Sequence, residues 1–183
     1  TLLFTAHREE TTGGFSLEHK DYPEDIYISE YKEGKWLPAQ NIGPPVNTPD
    51  YEGAASITQD GKVVFFAGDY KNGLGNYDLY YSVRANGKWT TPVNMGPEVN
   101  SDGWDSQPFL APDGKTLYFS SRRRGGVGEK DVWFTKWENG NPLAYVAIGR
   151  GIDLFNLVHE FGGSENALLD LLSFTARAIP KSE

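Results

Sequence analysis

Two long stretches of this 183-residue chain match each other at one fixed offset, and that repeat restricts the fold more than any other feature. "EDIYISEYKEGKWLPAQNIGPPVNTPDYEG" at 24–53 aligns with "YDLYYSVRANGKWTTPVNMGPEVNSDGWDS" at 77–106. Asp25 falls on Asp78, Trp36 on Trp89, Gly43 on Gly96 and Asn47 on Asn100, each pair 53 residues apart. A further step of 53 carries Asp78 onto Asp131, and Asp60 of "ITQDGKVVFFAGD" onto Asp113 of "LAPDGKTLYFSSR". A chain of this kind reuses one supersecondary unit, and each unit buries its faces against its neighbours.

The unit reads as four short strands: in the second copy "AASIT", "KVVFFAG", "DLYYSV" and a weaker one around "KWTTPVNMG". Asp60-Gly61 and Asp113-Gly114 are expected to be two-residue hairpin turns, with glycine supplying the positive φ. Aromatic residues make up 14% of the chain beside 21 Gly and 11 Pro, which suits a turn-rich, all-β protein. Four antiparallel strands at this period point to β-propeller blades. Meanders stacked in a sandwich are the alternative.

Two departures bound the repeat. The first unit lacks an opening strand and carries the insertion "EETTGGFSLEHKDYP"; Phe4 to Asp25 spans 21 residues where Phe66 to Asp78 and Phe119 to Asp131 span 12. The third unit has Pro142 where the repeat calls for Trp, and its register fades after Ile148-Gly149, Ile152 and Asp153. The expected organisation is a repeat region over 1–153, with units at about 1–50, 51–103 and 104–153, and a helical tail over 154–183. About three units are too few to close an ordinary propeller of about four to eight blades. They form either part of a larger propeller or an incomplete one with an edge to cover. In the tail, Ser164 is a suitable N-cap and Pro180 a stop, with Leu168, Leu171, Leu172 and Thr175 at helical spacing. That helix would pack on its own blades, dock a partner, or be a degenerate terminus.

Composition removes several function classes. A net charge of −8 disfavours a nucleic-acid partner. The absence of Cys removes thiol chemistry and Cys-type zinc sites but assigns no compartment. No stretch approaches the length of an apolar membrane span. The opening "TLLFTAH" reads as a strand without an initiating Met, so the sequence is expected to be part of a longer chain. His7, His19 and His159 are scattered, and "HEFGG" lacks the second His of a zinc helix; each is expected on the surface or in a turn. "DGK" puts Lys where a calcium loop would want oxygen. No G-x-S-x-G elbow or sialidase-type Asp box is present. No metal and no cofactor are expected.

"PFLAPDGKTLYFSSRRRGGVGEKDVWF" resembles the WD40-like repeat of TolB-type propellers in its Pro, its Asp-Gly-Lys and its Asp-hydrophobic-aromatic strand. The longer unit, with "GKW" followed by "P.N.G..VN", is similar to propellers of Bacteroidetes outer-membrane proteins that also carry an OmpA-like peptidoglycan-binding domain. Type IX secretion and gliding envelope components belong to that group. The resemblance covers about residues 1–141, and no peptidoglycan-binding domain lies within the sequence. It implies a non-enzymatic protein- or peptide-binding module, periplasmic and associated with the outer membrane, scaffolding near peptidoglycan. Its partner would be an envelope protein or peptide, with peptidoglycan-associated complexes reached through further domains. A fragment of a carbohydrate-active or hydrolytic propeller enzyme is the alternative; its paired carboxylates would come from different blades.

Residues that recur at the offset are expected to serve the unit. Asp25, Asp78 and Asp131 would accept turn N–H groups, Trp36 and Trp89 would pack between units, and Asn47 and Asn100 would cap turns. In "NTPDYEG" against "NSDGWDS", the resemblance implies that Tyr51, Glu52, Trp104 and Asp105 line an acidic, aromatic binding surface near a channel mouth. A purely structural role is the alternative. "SSRRRGGVGEKDVWF" looks like a phosphate cradle, but it leads into a strand rather than a helix. Arg123 and Arg124 replace Tyr70 and Lys71 of the preceding unit and are expected as a rim contact for an acidic partner.

Overall fold

The computed structural model describes residues 1–17, 20–126, 128–138, 141–149 and 157–163, and every regular element in them is a strand. The first unit holds β1 (Leu2–His7), β2 (Glu24–Ser29), β3 (Tyr31–Lys32), β4 (Lys35–Trp36) and β5 (Gln40–Asn41). β1, β2 and β5 form a three-stranded sheet in that order, and β3 pairs with β4 as a separate hairpin. The second unit holds β6 (Glu52–Ile57), β7 (Val63–Gly68), β8 (Asp78–Ala85), β9 (Lys88–Trp89) and β10 (Val93–Asn94). Its sheet runs β10-β8-β7-β6, with β9 on the end of β8. The third unit is the sheet β11 (Asp105–Leu110), β12 (Thr116–Ser121), β13 (Asp131–Glu138), β14 (Asn141–Gly149) and β15 (Leu157–Gly163), in sequence order. The chain is all-β, built of small antiparallel sheets. The helix expected within the tail, with its cap at Ser164, lies outside the described residues.

Strand register repeats with the sequence. Phe4 sits opposite Tyr27, Phe66 opposite Tyr80 and Phe119 opposite Trp133. β1 is therefore the counterpart of β7 and β12, and the first sheet has no counterpart of β6, as the sequence comparison expects. The opening strands of the other two units each carry a bulge, with Ala54 (φ 50°) and Gln107 (φ 56°) at its centre.

Turn chemistry differs from expectation. Thr58 N–H donates to Val63 O, and Ala111 N–H to Thr116 O, so each Asp-Gly lies inside a four-residue loop rather than a two-residue turn. Asp60 and Asp113 instead accept backbone N–H groups at Lys62 and Lys115. The two-residue turns are Glu33-Gly34 and Asn86-Gly87, all four residues with positive φ, closing Lys32 on Lys35 and Ala85 on Lys88. The weak fourth strand divides into β9 and β10 around Thr90-Thr91-Pro92, where proline offers no ladder donor. β15 extends the third sheet beyond residue 153, and His159 lies on this strand rather than in a turn. A strand without a copy in another unit is invisible to a repeat comparison.

The run "VVFFAG" is apolar on both faces because β7 is covered on both. Val64 and Phe66 join Ile26, Val46 and Tyr80 in one buried cluster toward the first sheet. Phe65 and Ala67 join Leu79, Met95, Val99, Leu117, Phe119 and Trp133 in another toward the third. Each fully buried large side chain contributes roughly 1.5–3 kcal/mol, so the faces between sheets dominate the stability. Trp89 packs on the first cluster as expected, whereas Trp36 is 53% exposed and meets Tyr31 instead. The translation that sets Trp89 against the first sheet directs Trp36 to a face with no earlier sheet among the described residues.

Candidate functional site

Each long connection between units ends in a tight turn whose last residue is a carboxylate opening the next sheet. Thr48 N–H donates to Glu52 Oε2 at 2.9 Å, and the Thr48 hydroxyl donates to Oε1. One unit later, Ser101 N–H and Ser101 Oγ both donate to Asp105 Oδ2 at 2.7 Å. Carboxyl oxygens accept hydrogen bonds, so such a side chain suits a turn crowded with donors. Both side chains are fully buried. This corrects the expectation of an accessible acidic surface: Glu52 and Asp105 tie turns.

Arg123 is likewise not a rim residue. Its side chain is 8% exposed, and Nη2 lies 2.9 Å from Asp105 Oδ1 and also donates to the Val99 carbonyl. Nε donates to Ser121 Oγ at 2.9 Å. The guanidinium stands over the rings of Phe119 at 5.1 Å and Trp133 at 4.7 Å. The equivalent position in the preceding unit is Tyr70, whose hydroxyl donates to the Val46 carbonyl at 3.1 Å and faces Glu52. Residues 46 and 99, 52 and 105, and 70 and 123 therefore build the same joint between sheets twice, with different chemistry. Burial pushes the Glu52 carboxyl up to about 7 despite the lowering effect of the Thr48 bonds. Burial and the neighbouring carboxyl push the Tyr70 phenol up as well.

The side chains left at the surface of this region are different ones. Tyr51 and Trp104 are half-buried, and Arg124 is exposed. Trp104 is held by a parallel bridge to Tyr77, and its carbonyl accepts Arg122 N–H at 3.0 Å. The Arg122 guanidinium lies 5.6 Å and the Lys130 ammonium 4.2 Å from its ring centre. Nearby, Pro45, Thr48, Pro49, Asp50, Tyr70 and Tyr80 wall an open groove of about 640 Å³.

The recurrent aspartates behave as expected. Asp25 accepts Thr12 N–H at 2.7 Å, Asp78 accepts Leu74 and Gly75 N–H at 2.5 and 3.1 Å, and Asp131 accepts Gly128 N–H. The loop glycines permit that approach: a Cβ on Gly73 would lie 2.8 Å from Asp78 Oδ2, and one on Gly126 would overlap Asp131. This excludes the phosphate-cradle appearance of residues 120–134, since the loop folds around its own carboxylate. Asn47 and Asn100 do more than cap. Each side chain accepts the N–H and donates to the C=O of a strand residue, Ile26 or Leu79, as a paired strand would.

His7 Nδ1 lies 2.7 Å from the Tyr22 carbonyl and Nε2 lies 3.1 Å from Glu24, and the Tyr22 bond raises its pKa. His19 lies outside the described residues. Among the described residues, no group of three or more His, Asp or Glu is arranged to hold a metal. Sequence reasoning missed Thr48, Ser101 and Tyr70. The offset of 53 pairs Thr48 with Ser101 and Tyr70 with Arg123, and that was the available signal.

No protein-family model matches the sequence, nor does any curated protein sequence. Among solved structures, TolB from Acinetobacter baumannii is similar at 18% identity and a TM-score of 0.42, over 72% of this chain and 33% of that one. The chain thus spans about a third of that protein's length.

Proposed function

We propose that this chain is a non-enzymatic module that binds a protein or peptide segment through the surface carrying Tyr51, Trp104 and Arg124. The observation behind this reading is Trp104, a half-buried aromatic on a pinned loop with two cationic side chains against its ring. Aromatic and arginine side chains on rigid supports are the usual anchors of protein interfaces. Glu52, Asp105 and Arg123 serve the contact from behind by fixing the turns that present it.

On this reading the units bounded near residues 50, 103 and 153 are blades of a β-propeller, and the helical tail begins at Ser164, beyond β15, rather than at residue 154. The WD40-like, TolB-type character of the repeat supports a periplasmic module associated with the outer membrane and scaffolding near peptidoglycan. Its partner is then an envelope protein or peptide segment, and further domains would reach peptidoglycan-associated complexes. No helix among the described residues is long and apolar enough to cross a membrane.

The test compares the wild-type chain with a Trp104→Ser/Arg124→Glu variant in crosslinked capture from a periplasmic extract. Capture of the identified partner should fall at least about tenfold, the loss expected for an anchor worth about 1.4 kcal/mol or more, while the unfolding midpoint stays put. Unchanged capture removes the site assignment. Glycan or peptide turnover that disappears when one carboxylate is replaced would favour the hydrolytic alternative.

A further inference from the structure

The two copies of the inter-sheet joint differ in one respect that matters physically. In the joint between the second and third sheets, the buried carboxylate of Asp105 has the Arg123 guanidinium against it. In the joint between the first and second sheets, the equivalent carboxyl, Glu52, meets a phenol at that position. The Tyr70 hydroxyl lies within hydrogen-bond reach of both the Val46 carbonyl and the Glu52 carboxyl, but it has one proton to give and, unlike the guanidinium, no charge to offset a carboxylate.

The titratable groups around this joint come from every element packed against it. Tyr70 stands beyond the end of β7, with Asp50 of the turn acting on it. Asp25 on β2 acts on Glu52 directly, and Tyr77, before β8, senses the Glu52 charge. The Glu24 carboxylate reaches the space beside Gly53, and Lys71 is exposed on the groove wall next to Tyr70. Among the described residues, the main influences on Glu52 are hydroxyls, an amide and another carboxylate, with no Lys or Arg in ion-pair contact. A buried carboxylate without a counter-charge is strongly disfavoured and takes up a proton instead.

We propose that the joint between the first and second sheets is a proton-dependent latch, closed while Glu52 is neutral and loosened when it ionises. The second joint, with its own guanidinium, is the built-in contrast. This inference holds whether or not a partner binds at Trp104.

The direction of the effect follows from proton counts. The folded state holds the Glu52 proton up to about pH 7, whereas the ordinary value of the carboxyl is 4.5. Between those values the unfolded chain binds fewer protons, so stability falls as pH rises, and above about 7 it stays at the lower level. The folded-to-unfolded ratio changes by up to about tenfold per pH unit, or about a hundredfold across the accessible part of the window.

The experiment is urea unfolding of the full chain at pH 5, 6, 7 and 8 for wild type, Glu52→Gln and Tyr70→Arg. The two variants share one net charge, one unit from wild type, so self-repulsion is nearly the same in all three and the comparison isolates the joint. Relative to Glu52→Gln, wild type should lose about a hundredfold in folded-to-unfolded ratio between pH 5 and 8. Tyr70→Arg, which copies the cation of the second joint, should flatten the profile. Parallel profiles for wild type and Glu52→Gln overturn the latch, and so does a Tyr70→Arg variant that folds yet keeps the wild-type slope. If neither variant folds, the carboxyl carbon-13 shift of Glu52 decides in the wild-type protein. A midpoint near 7 supports the latch, and one near 4.5 overturns it.

Discussion

Replacing Arg123 with Met would leave the Asp105 carboxylate fully buried, with the two Ser101 donors and no counter-charge. Removing one partner of a buried ion pair costs about 3–5 kcal/mol, most of it the penalty of the stranded charge. Arg123→Met should therefore lower unfolding stability by that amount in urea, and Asp105→Asn in the same chain should recover much of it. A loss below about 1 kcal/mol would mean that the ring contacts, rather than the ion pair, hold Arg123. At this scale the sequence was half legible. Aligning the units singled out Tyr70 and Arg123 as the unexplained difference, and Glu52 and Asp105 as equivalent carboxylates. Their pairing was hidden because each partner lies on another element of the unit, and a sequence carries no sign of which side chains turn inward there.

Asn100 replaces a strand at the point where β8 needs a neighbour. Its amide accepts the Leu79 N–H, donates to the Leu79 carbonyl beside the Met95 N–H, and also donates to Asn94, so this side chain docks the turn after β10 onto the sheet. Asn100→Ala leaves the buried Leu79 N–H without its acceptor, while the carbonyl keeps the Met95 N–H, and should cost about 1–3 kcal/mol by chemical denaturation. Hydrogen exchange at the Leu79 amide should speed up more than exchange at Phe66 on the neighbouring strand. Strand positions and the aspartates at the starts of β2, β8 and β13 were readable from pattern and recurrence. Turn lengths were not. Asp-Gly fits a two-residue turn by composition, but here Asp bonds to the loop amides and a four-residue loop results. Asn86-Gly87 closes the tighter turn.

Across the molecule, the apolar clusters sit between sheets, so the loss of one large side chain there should weaken the association of two units. Trp133 is completely buried against Phe65, Leu79 and Met95 of the second unit. Trp133→Ala should cost about 3–5 kcal/mol and reduce the near-ultraviolet circular dichroism while the far-ultraviolet spectrum persists. A loss below about 1 kcal/mol would place the cohesion of the second and third sheets elsewhere. The antiparallel, all-β build was legible because recurrence constrains every copy at once. What has no copy in another unit was illegible, as the extra strand β15 shows.

The recurrence of the joint has a consequence for engineering. Because the carbonyl, the carboxyl and the reaching side chain come at matched offsets, a fastener and the unit it fastens are separate commodities. The phenol version and the guanidinium version share one backbone socket. A designer could therefore string additional copies of the second unit and choose, junction by junction, whether each one carries a salt bridge or an acid-responsive bond.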